Sequence, residues 1–195
     1  MKKIFSINFL ILILTVSCGD KNQEAQLTEN EKTEMRDAAS EFMGRLKGIL
    51  ISQIKSGGVI SAVAVCSDTA QVLTNDFGLM KGLYIKRVSF KNRNKNNVPD
   101  KFEERVLKQF EVLKSTDKLA PGTEHFEIIK ENDYKYLRYM KPIKIGEACL
   151  KCHGNEEKIS AEVKELIVKK YPDDKAVGYK NGDLRGAVSI KKLIK

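Results

Sequence analysis

Hydrophobic positions along this chain change their period several times, and each change marks an element. Thr28-Glu29-Asn30-Glu31 has the spacing of a capping box, with a hydroxyl answered by a carboxylate three residues on. Met35, Ala38, Ala39, Phe42, Leu46, Ile49, Leu50 and Ile54 then keep helical spacing, which predicts a long helix that Gly57-Gly58 ends. Residues 59–65 form a continuous run of small and apolar side chains, compatible with a helix or a buried strand. Their link to Ser67-Asp68-Thr69-Ala70-Gln71-Val72-Leu73 favours a second helix that carries Cys66. Residues 83–90 alternate as a strand, and residues 92–98 read as a polar loop that leaves its backbone in solvent. Asp100 and Glu103 form another N-terminal box, opening a helix through Phe102, Val106, Phe110 and Leu113. Residues 124–129 and 134–142 read as a hairpin around Glu131-Asn132-Asp133. A short helix over 160–171 stops before Pro172, Asn181-Gly182 marks a turn, and residues 185–193 supply a last strand. Strands in hairpin order with a long N-terminal helix and short helices between them predict an α+β fold on an antiparallel sheet.

The first residues follow a different rule. Met1-Lys2-Lys3 is a basic start, and residues 4–16 are apolar apart from Ser6, Asn8 and Thr15, the layout of a secretory signal. Leu14-Thr15-Val16-Ser17-Cys18 resembles a bacterial lipobox, in which the cysteine becomes the lipidated first residue. The expected organisation is a signal peptide over 1–17, a polar tether over 18–27 and one folded domain over 28–195. Lipid on Cys18 would hold that domain to a membrane on the periplasmic side of the cell envelope. No segment after the signal is expected to be apolar and long enough to span a bilayer.

Composition adds little to this picture. With 42% hydrophobic and 31% charged residues the chain is ordinary globular material. A formal net charge of +9 raises the question of nucleic acid. The export signal and the even spread of lysines, with no aromatic-interleaved basic cluster, argue against that partner.

The chemistry sits in Cys149-Leu150-Lys151-Cys152-His153-Gly154, a C-x-x-C-H sequence that serves as a haem c attachment signature. Two thiols three positions apart can add to the two vinyl groups on one porphyrin edge. The next residue then brings an imidazole under the ring as proximal iron ligand. Attachment takes place outside the cytoplasmic membrane, in agreement with the signal segment. A thioredoxin-like dithiol would require a βαβ setting, which the flanking pattern lacks. A structural zinc site would require four protein ligands, and there is no second C-x-x-C.

For the opposite side of the iron the residues leave several candidates: Cys66, His125, the methionines, or an open position. Met35, Met43 and Met80 fit the core better. His125 shares a strand face with Glu127, opposite Phe126 and Ile128, and is expected on the solvent side. A lone cysteine in a small apolar run is ordinarily an inert packing residue, although a metal readily deprotonates a thiol that coordinates it.

Seven segments in order resemble a known family, the PAS-like single-haem c-type cytochrome domain found alone or fused to sensor kinases. They are Ala64-Val65-Cys66-Ser67, Lys86-Arg87-Val88-Ser89-Phe90-Lys91-Asn92-Arg93-Asn94, Val98-Pro99-Asp100, Tyr139-Met140-Lys141-Pro142-Ile143, the haem motif, Tyr171-Pro172 through Gly178-Tyr179, and Gly182-Asp183-Leu184-Arg185-Gly186-Ala187-Val188-Ser189. The resemblance covers residues 28–190. It implies a PAS-like antiparallel sheet with the haem packed beside it, and axial ligation by His153 and Cys66. Arg87 and Arg93 are candidate propionate partners, because a guanidinium fork matches a carboxylate. The family commonly has proline after the asparagine that matches Asn94. Lys95 stands there, so a less rigid loop is expected.

The expected function is a non-enzymatic mono-haem c-type cytochrome acting in electron transfer or redox sensing with a protein partner. The alternative is a haem-based sensor of diatomic gases. Catalysis such as peroxidation would need a distal acid or base, and His125 is the one spare histidine. Haem would also complete the hydrophobic core of a chain without tryptophan. A Cys149→Ala/Cys152→Ala chain is therefore expected to be poorly folded; a sharp, wild-type-like melting transition would contradict this.

Overall fold

A computed structural model describes residues 27–194. The expected signal peptide, the lipidation candidate Cys18 and residues 18–26 of the tether lie outside the described residues. Four helices, α1 (Glu29–Lys81), α2 (Lys101–Ser115), α3 (Leu150–His153) and α4 (Ala161–Lys170), accompany four strands. These are β1 (Tyr84–Val88), β2 (His125–Glu131), β3 (Tyr134–Lys144) and β4 (Leu184–Ile194). All pairings are antiparallel, in the order β1-β4-β3-β2, giving the α+β class that the strand pattern predicts.

Both capping boxes form. Thr28 and Glu31 open α1, and Asp100 and Glu103 open α2, each pair reciprocally satisfying end N–H groups. The glycine pair also acts as expected, but over one residue rather than two. Gly58 has φ 74° and ψ −173°, a break inside an otherwise continuous helical run. A straight helix would put Phe42 and Phe77 about 50 Å apart. Instead their ring centroids are 5.6 Å apart, and Lys81 Nζ lies 2.7 Å from a Glu41 carboxylate oxygen. The helix is thus a hairpin whose second arm returns beside the first.

The expected pair of helices meeting at Gly57-Gly58, the second carrying Cys66, is what this break produces. By length and composition α1 could cross a membrane: it holds an 18-residue window of mean hydropathy 1.7, only 11% of it buried. In the fold, the reversal at Gly58 divides the run into two arms that pack against each other.

The sheet alternates cleanly between two cores. Ile85, Leu137, Tyr139, Val188 and Ile190 face α1, meeting Met35, Ala38, Ala39, Phe42 and Phe77. Val88, Met140 and Ala187 face the other way and meet Phe102, Val106, Leu107 and Phe110 of α2. This is the period-two rule of a sheet covered on both sides. A register shift at Ile143/Lys144, opposite Gly186 and Leu184, turns Leu184 toward the α2 core. Gly186 cannot be replaced there, because a Cβ would stand 2.1 Å from the Val88 carbonyl oxygen.

Three smaller expectations change. Met80 is 57% exposed rather than core. Asn92 is buried, and the Asn94 side chain caps a 3-10 turn over Lys95–Asn97 by accepting from Asn96 N–H at 2.9 Å. His125 is half-buried beneath α2, its ring 5.8 Å from that of Phe102 and bonded to Glu127 at 3.0 Å. Its strand face is the one assigned from the alternation, but α2 covers that face.

Gly58 occupies a backbone region that is close to glycine-only. Gly58→Ala is expected to cost about 1–3 kcal/mol, seen as a lower urea midpoint with unchanged slope.

Candidate functional site

The motif is held on a single helical turn. A 3-10 turn over Glu147–Cys149 runs directly into α3, so Cys149, Cys152 and His153 fall at i, i+3 and i+4 on one face. Cys66, Cys149 and Cys152 are free and half-buried. Gly154 closes the turn: its N–H donates to the Leu150 carbonyl at 3.0 Å, and a Cβ there would lie 2.6 Å from that oxygen.

Cys66 reaches the same place from the far side of the hairpin. Val59, Val63 and Cys66 share a helical stripe, and Val63 packs with Ile159, Val163 and Ile167 around α4. Cys152 joins that same apolar cluster. Cys66 lies close enough to Cys152 that a thiolate there would disfavour one at Cys152, although burial is the main reason that both thiols are pushed above their ordinary range. Arg87 acts in the opposite sense on Cys66.

His153 has the most perturbed ring of the site. Loss of solvation pushes its pKa down to about 3, with Arg93 and Arg185 adding to the effect. Its Nδ1 lies 2.6 Å from the Ala176 carbonyl oxygen. A carbonyl only accepts, so Nδ1 carries the proton and donates. Nε2 is left with a free lone pair, the state that a neutral metal-ligating imidazole needs.

Three guanidiniums surround this ring. Arg87, on the α1 face of β1, has no hydrogen-bond or ion-pair partner among the described residues, and burial lowers its pKa. Arg185 donates to the Lys91 carbonyl at 3.0 Å and is likewise desolvated. Arg93 is committed along its Nε and Nη2 edge: to Asp174 at 3.1 and 2.9 Å, and to the Cys152 carbonyl at 2.6 Å. The structure therefore brings Cys66, Arg87, Arg93, Cys149, Cys152 and His153 into one region, and leaves His125 beneath α2.

Tyr171, Asp174 and Ala176 were not singled out as site residues in the sequence. Tyr171 stands among Arg87, Arg93 and Cys66, and its phenol is pushed up mainly by burial. Asp173-Asp174 looks like a solvated acidic pair, and Ala176 works through its backbone, which leaves no signature. The only available signal was the Tyr171-Pro172 to Gly178-Tyr179 landmark, which carried no role.

The arrangement fits a haem better than the alternatives. Among the described residues no three His, Cys, Asp or Glu side chains gather to hold a metal ion by themselves, as a zinc site requires. A thioredoxin-like site needs a longer helix after a parallel strand, whereas α3 is four residues long and follows the antiparallel β3.

Residues 20–192 match the Tll0287-like family. The chain belongs to that family. The resemblance drawn from the seven ordered segments is thereby borne out for this Tll0287-like protein. The crystal structure of the cyanobacterial heme-protein Tll0287 aligns with a TM-score of 0.65 and 22% identity, over 87% of this chain and 98% of that one. At that identity the likeness supports the shared fold. No curated protein matches the chain.

Gly154→Ala is expected to open the motif turn at a cost of about 1–3 kcal/mol, lowering the melting temperature. An unchanged melting curve would mean that the turn yields without cost.

Proposed function

We propose that this protein is an exported, lipid-anchored cytochrome with one covalent haem c, whose task is to take up and release a single electron. Cys149 and Cys152 would form the thioether links, His153 Nε2 would be the proximal ligand and Cys66 the opposite axial ligand. The observation that carries this reading is the Nδ1 hydrogen bond of His153 to the Ala176 carbonyl, which fixes the neutral tautomer with Nε2 free. The cyanobacterial relative described as a heme-protein supports it. So does the lipobox-like Cys18, which favours a membrane-attached domain in the cell envelope.

Bound haem would supply one-electron iron chemistry. The residues of the chain account for the rest. Packing around Cys152 and His153 limits the access of water to the ligands. The desolvated, unpaired Arg87 gives an anionic carboxylate a partner, and it also eases deprotonation of Cys66. A Cys66 thiolate would hold oxidised iron more firmly than reduced iron, and burial, which pushes the Cys66 thiol up, would favour uptake of a proton from solvent by a released sulfur. This last feature supports a second reading, in which Cys66 leaves on reduction and a diatomic gas takes its place to signal a partner protein.

The test is a pair of visible spectra, oxidised and reduced, for wild type and Cys66→Ala produced with haem c maturation machinery. Haem that survives denaturation, with ferric bands shifted in Cys66→Ala, is the expected result. Covalent haem with unshifted bands would return Cys66 to a packing role, and no covalent haem would overturn the proposal. Carbon monoxide binding to reduced wild type would favour gas sensing over electron transfer.

A further inference from the structure

We infer that Arg93 and Asp174 form a clamp that orients the His153 imidazole and sets its strength as an electron donor, acting through the peptide carbonyl of Ala176. This rests on the proposed ligation of haem iron by His153.

The clamp is a closed circuit of hydrogen bonds. The Ala176 carbonyl accepts from His153 Nδ1 at 2.6 Å and from Arg93 Nη2 at 3.3 Å. The N–H of Ala176 donates to Asp174 Oδ1 at 2.8 Å. The other oxygen, Oδ2, accepts from Arg93 Nε at 3.1 Å. Arg93 Nη2 also donates to the Cys152 carbonyl, one residue before the histidine, at 2.6 Å. The histidine is thus gripped at its ring and at the peptide that carries it. Three distant segments supply the parts: the loop after β1, the motif turn, and residues 174–176.

Its surroundings set this contact apart from a surface ion pair. Side-chain exposure is 12% for Arg93 and 9% for Asp174, and Ala176 is fully buried. Neighbouring backbone bonds fix the same strip: Gly178 N–H to the Gly154 carbonyl at 2.8 Å and Tyr179 N–H to the His153 carbonyl at 3.0 Å. Lys175 N–H donates to the Asn92 carbonyl at 3.1 Å, tying the strip to the Arg93 loop. Burying an ion pair costs desolvation, which is offset only when the remaining polar atoms are satisfied. Here both carboxylate oxygens and both lone pairs of the Ala176 carbonyl are used.

A firm acceptor at Nδ1–H makes the opposite nitrogen a better donor, and this outer partner is worth roughly tenfold to a hundredfold in metal affinity. A stronger donor favours oxidised over reduced iron. Loosening the Ala176 carbonyl should therefore raise the reduction potential. That sign separates the clamp from simple charge effects. By Coulomb interaction alone, removing the Asp174 anion raises the potential and removing the Arg93 cation lowers it. Through the clamp, both changes raise it.

The experiment is a redox titration of the haem-loaded full chain as wild type, Asp174→Asn, Arg93→Gln and Arg93→Lys, with melting curves in parallel. The clamp predicts a rise in all three variants, roughly tenfold in the oxidised-to-reduced preference, or about 59 mV for one electron. Arg93→Lys keeps the charge and most of the packing but loses the fork, so it carries the test if Arg93→Gln does not fold. Opposite shifts in Asp174→Asn and Arg93→Gln, or no shift in Arg93→Lys, would sink the clamp and leave the cytochrome reading intact. A wild-type chain that takes up no haem overturns both.

Discussion

A straight helix of 53 residues would hold its ends about 80 Å apart, farther than a domain of this size can use. One glycine conformation in the middle changes that geometry. At Gly58 the chain reverses, and the second arm comes back along the first until Phe42 meets Phe77 and Glu41 meets Lys81. The same reversal lays Val59 and Val63 against α4 and delivers Cys66 to the cluster that contains Cys152. Without it the α1 face of the sheet would lack one of its two helical covers. The cysteine on the returning arm would be remote from the motif turn.

Charge is handled differently under α2 and beside the motif. Under α2 the charges are matched: Arg138 meets Asp100 at 2.8 Å and Glu103 at 3.3 Å, and Lys86 meets Glu103 at 2.9 Å. Beside the motif three guanidiniums converge, and among the described residues Asp174 is the one carboxylate that pairs with any of them. Desolvated positive charge without a counter-charge is costly in a folded chain. It fits a place where an anionic group belongs, and the carboxylates of the proposed haem have that charge. The same region also has an apolar side, formed by Val59, Val63, Val163 and Ile167 around Cys152.

The site is also built to hold its histidine without help from the histidine's own element. The motif turn is too short to be stable alone. It is held by the 174–179 strip, which bonds to it at Gly154 and His153, and by the loop after β1, whose Arg93 donates to the Cys152 carbonyl. In that loop Asn94 caps the following turn, and the buried Asn92 donates from its amide to the Asn94 carbonyl at 3.1 Å.

The residues themselves determined the elements and the attachment chemistry. Capping boxes at Thr28 and Asp100, alternation in the strands, the glycine break and the C-x-x-C-H spacing are all local patterns, and backbone sterics and hydrogen bonding act over the same few residues. Residue order also carried the family, through seven short segments. The tertiary structure alone decided which of those segments meet. Cys66 and His153 are far apart in sequence, and only the fold-back of α1 brings them to one region. His125 was assigned to the correct strand face, but whether that face is wet depended on where α2 lies. Asp174 and Ala176 left no trace in the sequence because one resembles a surface acid and the other acts through a carbonyl that every residue possesses. Burial and partner choice are set by what packs against a residue, and that is a property of the whole chain.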